Sequence, residues 1–332
     1  MGRTFSPPAC LLGFIERYYK FIIAGHEEPD ADCVGSQLAL ASMLKRLGKD
    51  ALLRSAGPFR KPEVRPYKDM FSDKVSDGDR AGAAVIVVDC QGPGRTGGIG
   101  EALEGMPLAI IDHHEYNEGA GSENADCAYV EAAAASATVL VFSLFTALRI
   151  TPSADEARLL FLGLCTDSGF FRHIDSGGED VFRVAAALVG AGASPKDTFA
   201  KINGGRTLAS RLLLATVLGH TESYFDGKLL LSTEELAETE RYGIENRDSD
   251  MLYQLLMSVE GVEAAAVIRQ HTAEECAIGL RSRSTADVAK VAAVYGGGGH
   301  KNAAGAYARG SIAGLKPSLL GEFKKVFGHK AT

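Results

Sequence analysis

The chain has no C-x-x-C pair, and its six cysteines, at positions 10, 33, 90, 127, 165 and 276, follow no regular spacing. That pattern fits a reducing compartment and argues against a disulfide framework, so the cysteines are expected to act as small buried hydrophobes. Long apolar runs are missing too. None approaches the roughly 18 residues needed to span a bilayer, and the segment Leu11 to Ile23 is broken by Glu16, Arg17 and Lys20. Neither a signal-peptide core nor a membrane helix is expected, and a cytoplasmic protein with no membrane partner is. An excess of basic residues is also absent, since the formal charge is −7. Gripping long duplex nucleic acid by counterion release requires a basic stripe, so no such partner is expected and any phosphate recognition has to be local. An acidic chain can still bind phosphate where its carboxylates hold cations, because the ions reverse the local field.

The sequence does have the bulk and patterning of a two-domain α/β protein. Its 332 residues, 46% hydrophobic and 23% charged, suffice for two domains with separate cores. Phe21 to Ala24, Ala84 to Val88 and Leu108 to Ile111 are nearly continuous apolar runs, as expected of parallel strands covered on both faces. Between the first two, apolar residues at 34, 38, 41, 44 and 47 form a helical stripe that ends at Gly48. Two more helices are predicted, over Ala132 to Leu148 and Ala154 to Leu164. Ser153 and Glu156 supply a capping box for the second. A break falls near Gly190 to Gly205. Beyond it, Lys228 to Ser232, Ala264 to Arg269 and Glu275 to Arg281 read as strands and Ala286 to Tyr295 as a helix. The expectation is a parallel-sheet domain over 1–190, a linker over 191–215 and a smaller mixed α/β domain over 216–332.

Polar residues concentrate where strands end. His26, Glu27, Glu28, Asp30 and Asp32 follow the first strand, Asp89 the second, and Asp112, His113 and His114 the third. Asp167 follows the helix that starts at Ala154. Ligands in open α/β sheets bind outside the carboxyl ends of the strands, so these residues should meet in one crevice. An isolated Asp after a strand is usually a cap or turn residue. The joint occurrence of His26-x-x-x-Asp30-x-Asp32 with Asp112-His113-His114 favours a metal site. Its hard O and N donors suit Mn²⁺, with Mg²⁺ or Co²⁺ as substitutes. Two such ions would suit phosphate-ester hydrolysis. In the second domain, Gly296-Gly297-Gly298-Gly299-His300 reads either as a flexible turn or as an anion nest opening onto a helix. Arg281 and Ser282 sit at a predicted strand end, where Arg281 is either a solvated edge residue or a phosphate clamp.

These motifs resemble the DHH phosphoesterase superfamily, in the branch with a DHH-associated C-terminal domain that includes NrnA-type oligoribonucleases. The resemblance spans His26 to Ser36, Val88-Asp89, the name-giving Asp112-His113-His114, Gly163 to Gly169 and the Gly-Gly-Gly-Gly-His-Lys-Asn-Ala-Ala-Gly of 296–305. It implies that His26, Asp30 and Asp89 hold one Mn²⁺ and that Asp32, Asp89, His113 and Asp167 hold a second, with Asp89 bridging. It further implies that Asp112 orients the cluster and that His114 faces the scissile phosphate. Arg281, Ser282, Gly297, Gly298, Gly299 and His300 would bind the nucleotide across an interdomain active-site cleft.

The implied activity is cleavage of short oligonucleotides to mononucleotides, with 3′-phosphoadenosine 5′-phosphate as a further substrate. A cyclic di-AMP or pApA phosphodiesterase is the alternative enzyme, and an inactive nucleotide-binding regulatory module is the alternative of another class. Monomer and homodimer both stay open.

Overall fold

The apolar runs form the middle of a sheet, and the helical stripes cover it. The structure is a computed structural model that describes residues 5–114, 124–283 and 286–328. It divides into two compact units, Met1–Gly205 and Arg206–Thr332.

The first unit runs α1 (Ala9–Arg17), β1 (Lys20–Ala24), α2 (Ala31–Arg46), β2 (Asp50–Arg54), α3 (Asp77–Arg80), β3 (Ala83–Val88), α4 (Gly100–Leu103), β4 (Leu108–Asp112), β5 (Cys127–Val130), α5 (Ala137–Ala147), α6 (Ala154–Asp167), α7 (Glu179–Gly190) and α8 (Pro195–Asn203). Its five strands are all parallel, in the order β2-β1-β3-β4-β5. Alternate side chains enter two cores. Phe21, Ile23, Ile86, Val88 and Ile111 pack with residues of α2, α5 and α6 on one face. Ile22, Ala24, Val85, Val87 and Ile110 pack with Ile99 and Leu103 on the other. From β1 the chain builds outward to β2, then returns past β1 to start β3. The carboxyl ends of β1 and β3 therefore flank a topological switch point, where a crevice forms.

The capping box expected at Ser153 and Glu156 is present. Glu156 is buried and also accepts from Ser42 Oγ at 2.7 Å and Arg46 Nη1 at 2.6 Å, so one carboxylate caps α6 and ties it to α2. The helix expected from Ala132 starts later, because Ser136 provides the N-cap of α5. One expectation needs correction: Cys10 and Cys127 form a disulfide, with Cα atoms 5.8 Å apart. Their spacing of 117 residues gave no sign of it; the fold brings them together by laying α1 beside the edge strand β5. The other four cysteines are buried free thiols, as expected.

The second unit runs α9 (Leu208–Gly219), β6 (Glu222–Tyr224), β7 (Leu229–Glu234), α10 (Leu236–Tyr242), α11 (Ser249–Met257), β8 (Ala264–Thr272), β9 (Glu275–Ser282), α12 (Val288–Val294), β10 (Gly298–His300), β11 (Ala303–Arg309) and α13 (Ile312–Gly328). Its sheet order is β10-β11-β9-β8-β7-β6, antiparallel except for the β7–β8 pair. The sheet is mixed, as expected. One face packs with α12 and α13 around Leu280, Leu319 and Phe323. The other packs with α9 and α11 around Leu213, Leu252, Tyr253 and Leu256. The stretch 191–215, read from sequence as a linker, carries α8 and the start of α9. Among the described residues no helix is long and apolar enough to cross a membrane.

Candidate functional site

The carboxyl ends of β1, β3 and β4 and the end of α6 bring eight polar residues together. After β1, the loop from His26 is held by two neighbours: Glu27 N donates to Arg95 O at 2.9 Å and Glu28 N to Gly57 O at 2.8 Å. Glu28 adopts φ 53°, a left-handed conformation uncommon outside glycine. Asp30 caps α2, its Oδ1 accepting from Asp32 N at 3.0 Å and Cys33 N at 3.2 Å. Asp32 is fully buried and accepts from Ala137 N at 2.6 Å and Thr138 N at 2.9 Å, both at the start of α5. Asp89 follows β3 at φ 59°, which Asp and Asn tolerate better than most side chains. Asp112 ends β4 and Asp167 ends α6.

Asp89 is the centre of the group. Its Oδ2 lies 3.5 Å from His26 Nε2, while its Oδ1 lies 3.4 Å from His113 Nε2 and 3.9 Å from His114 Nδ1. His26 Nε2 is also 3.8 Å from Asp30 Oδ1. His113 Nε2 is 3.1 Å from Asp167 Oδ2 and 3.8 Å from Asp32 Oδ2. Second hydrogen bonds set the tautomers of these rings. His26 Nδ1 donates to Glu27 O at 2.7 Å and His113 Nδ1 to Ala134 O at 3.3 Å. Each Nε2 is thereby left as the ligand atom. Asp112 lies behind them, fully buried, with Oδ1 accepting from His113 N, from His114 N, and from His114 Nδ1 at 2.8 Å. His114 is more than half exposed and keeps Nε2 for an outside partner.

Among the described residues, Asp89 Oδ1, His113 Nε2 and Asp112 Oδ2 are buried without a well-formed hydrogen bond, although His113 Nε2 approaches Asp167 Oδ2. A buried carboxylate oxygen left without a donor is costly, and a cation between Asp89 and His113 would satisfy both atoms. The ionisation of the cluster carries the same mark of missing positive charge. Burial pushes the Asp32 carboxyl up, and the Asp89 and Asp167 charges push it further. Asp167 is also raised, by burial and by Asp89 against the pull of His113. Burial opposes the charged form of His26, yet Asp30 and Asp89 outweigh it and lift the ring to about 10. His113 is lifted to about 11 against its burial, by Asp167 and Asp89. Three sets of donor atoms are close enough to share an ion: His26, Cys33 and Asp89; Asp89, His113 and His114; and Asp32, His113 and Asp167.

Cys33 enters this list although its sequence position indicated packing alone. Burial raises its thiol, and Sγ donates to Gln37 Oε1 at 3.5 Å. It therefore stays protonated beside a hard-donor site. Lys61 was not singled out from sequence; its Nζ lies 3.7 Å from Asp30 Oδ2. No motif marks it, because only the fold brings the loop after β2 to the first turn of α2.

The residues singled out in the second unit form a group of their own. Arg281 pairs with Ala303, and Ala303 with His300, so the three lie in one row across β9, β11 and β10 and project from the same face. Ser282 points to the opposite face, and its hydroxyl donates to Ala286 O at 2.6 Å. The glycine run opens onto strand β10 and not onto a helix, which corrects the reading as a nest at a helix start. Close packing on β11 explains two of these glycines. A Cβ at Gly297 would lie 2.1 Å from Gly305 O, and one at Gly299 would lie 2.5 Å from Ala303 O.

Residues 20–164 match the DHH family, N-terminal domain, and residues 228–328 match the DHHA1 domain. The chain is 33% identical over 288 residues to the bifunctional oligoribonuclease and PAP phosphatase NrnA of Thermus thermophilus, covering 87% of this chain and 84% of that one. It is 29% identical to the probable enzyme of the same name from Streptococcus mutans, covering 89% and 92%. Among solved structures, an exopolyphosphatase-related protein from Bacteroides fragilis superposes with a TM-score of 0.82 at 21% identity, covering 96% of each chain, and shows the fold. With its carboxylate and histidine cluster at the switch point of the sheet and a DHHA1 domain over residues 228–328, the chain belongs to the DHH family of phosphoesterases.

Proposed function

We propose that the protein is a cytoplasmic Mn²⁺-dependent enzyme that hydrolyses short oligonucleotides to mononucleotides and also removes phosphate from 3′-phosphoadenosine 5′-phosphate. The observation that carries this reading is Asp89, whose two oxygens face His26 on one side and His113 on the other, with Oδ1 and His113 Nε2 buried without a well-formed hydrogen bond among the described residues. A carboxylate so placed can bridge two ions. His26, Asp30 and Asp89 would hold one, and Asp32, Asp89, His113 and Asp167 the other. When bound, such ions make water nucleophilic at neutral pH and offset charge on the phosphoryl group.

The chain's own residues supply orientation and charge. Asp112 fixes His114 through Nδ1, so that Nε2 can donate to a phosphoryl oxygen; this same hydrogen bond raises the imidazole above its ordinary value despite its partial burial. Arg281 and His300, each one strand from Ala303 in the same row, would hold a terminal phosphate. The two similar proteins named as oligoribonuclease and PAP phosphatase support the substrate class. The net charge of −7 favours short substrates over long polymers.

The test is hydrolysis by the purified protein with Mn²⁺, each reaction paired with a chelator control. The substrates are pApA, a five-residue RNA, 3′-phosphoadenosine 5′-phosphate and cyclic di-AMP. Turnover of the linear substrates with the cyclic one spared is expected. Preference for cyclic di-AMP would replace this reading with a cyclic-dinucleotide phosphodiesterase, and metal binding without turnover of any substrate would replace it with a regulatory module.

A further inference from the structure

Arg269 and Arg281 project from the face of the second sheet that Tyr253 covers, and they differ in their partners. Arg247 and Arg269 both pair with the buried Glu234, at 2.6 Å and 2.8 Å. Arg281 has no carboxylate within ion-pair distance among the described residues. Its Nη1 donates to Leu280 O at 3.0 Å, and its guanidinium lies over the ring of Tyr253, 4.7 Å from the centroid. A guanidinium held on a ring face without a counter-anion is oriented and still able to bind an anion.

Tyr253 is itself closely fitted. It lies on α11 with Leu252 and Leu256, all three buried against β8. Its hydroxyl is buried beside the Arg269 side chain, without a well-formed hydrogen bond among the described residues. That hydroxyl reaches the sheet at Gly279, two residues before Arg281 on the same strand face, where an added Cβ would lie 2.1 Å from Oη and 3.3 Å from Cζ. Gly279 is thus the space that lets the ring lie flat under Arg281. The ring face has a charged partner in the Arg281 guanidinium, while the hydroxyl end faces Gly279 and Arg269.

We propose that Tyr253 is a positioning residue for substrate binding. Its ring, admitted by Gly279, holds the Arg281 guanidinium on the face it shares with His300, ready for a nucleotide phosphate. The proposal rests on the reading of Arg281 as a substrate-phosphate ligand.

The experiment compares Tyr253→Leu, Tyr253→Phe, Gly279→Ala, the Gly279→Ala/Tyr253→Phe double variant and Arg281→Ala in the full-length protein. Two readouts are taken: KM and kcat for pApA with Mn²⁺, and calorimetric titration with adenosine monophosphate, which reports phosphate affinity without turnover. Loss of a cation–π contact predicts a roughly 3- to 20-fold rise in KM and in the dissociation constant for Tyr253→Leu, with kcat little changed. Gly279→Ala is expected to do the same by displacing the hydroxyl. Tyr253→Phe keeps the ring and removes the clashing atom, so it should retain affinity alone and restore it in the Gly279→Ala background. The rescue reports the Gly279–Tyr253 contact, and a merely structural role would not lower affinity in Tyr253→Leu with kcat and the stability measured by urea denaturation unchanged. If Arg281→Ala weakens binding while Tyr253→Leu does not, the positioning role is overturned and the role of Arg281 stands. If Arg281→Ala leaves affinity unchanged, both fall. Failure of pApA turnover with the titration pattern intact would overturn the proposed activity and leave the positioning role standing.

Discussion

Replacing Gly163 with alanine would place a methyl group in the contact between α6 and α2, directly behind the cluster. The new Cβ would lie 2.6 Å from Thr138 Cγ2, 2.8 Å from Asp32 Oδ1 and 2.9 Å from Asp32 Cα, closer than real Cβ atoms approach. Alanine in a helix interior is intrinsically favoured over glycine by about 1 kcal/mol. Against this, forcing a methyl into a packed core costs about 1–3 kcal/mol. Asp32 cannot recede freely, because its carboxylate holds Ala137 N and Thr138 N. Losing one of these charge-assisted bonds costs about 1.5–3 kcal/mol more. The net expectation is a loss of about 1.5–5 kcal/mol, combining these ranges, together with weaker Mn²⁺ binding because Asp32 is displaced. Urea denaturation in chelator, read at constant m, measures the first effect, and Mn²⁺ titration of the folded variant measures the second. Gly13→Ala is the control. Gly13 lies within α1 with nothing within 4 Å of an added Cβ, so the same chemical change should stabilise by about 0.5–1 kcal/mol. A Gly163→Ala protein as stable as the parent, with unchanged metal affinity, would refute the account of how α6 positions Asp32.

Asp89→Asn, which keeps a residue that tolerates positive φ, and His113→Ala should both reduce hydrolysis to the chelator background while far-ultraviolet circular dichroism shows a folded protein; normal turnover in either would overturn the ligand assignment. Mn²⁺ at a hundred times its dissociation constant should stabilise the fold by about 2.7 kcal/mol per site, and melting temperatures that do not differ between metal and chelator would contradict two-ion binding. The imidazoles of His26 and His113, ordinarily near 6.5 and lifted to about 10 and about 11 in the folded metal-free protein, contribute stability that is complete below 6.5 and lost as the pH rises through those values. Stability in chelator should therefore fall between pH 7 and pH 10, while Mn²⁺ affinity rises over the same interval because ligation requires the neutral rings. Chemical denaturation and metal titration at several pH values test both slopes. His300→Ala should raise KM roughly 10-fold or more, the cost of one hydrogen bond to a charged group, with Mn²⁺ stoichiometry unchanged by calorimetry.

The centre of the first unit, β1, β3 and β4 with α2, α5 and α6, was legible because its physics is local or periodic. Apolar runs bounded by polar clusters identified β1, β3 and β4, and Ser153 with Glu156 marked the start of α6 to the residue. The short edge strands β2 and β5 were missed: an edge strand is paired on one side and partly exposed, so Asp50–Arg54 and Cys127–Val130 carry a weak apolar signal. The strand β10 was read as a loop because glycine has low strand propensity; its pairing with β11 comes from backbone contact that a side chain would block.

The residue types of the candidate site, and their placement at strand ends, were set by the sequence itself. Apolar runs dictate a covered parallel sheet, and the polar residues that end them can only collect at its carboxyl edge. Pair relations between distant segments were decided by the tertiary structure alone. The strand order puts the switch point between β1 and β3, so that Asp89 stands between His26 and His113. The packing of α5 on α2 gives Asp32 its donors, α1 lying beside β5 joins Cys10 to Cys127, and α11 lays Tyr253 under Arg281. Each of these depends on side chains meeting across tens of residues of intervening chain, and no local pattern encodes such a meeting.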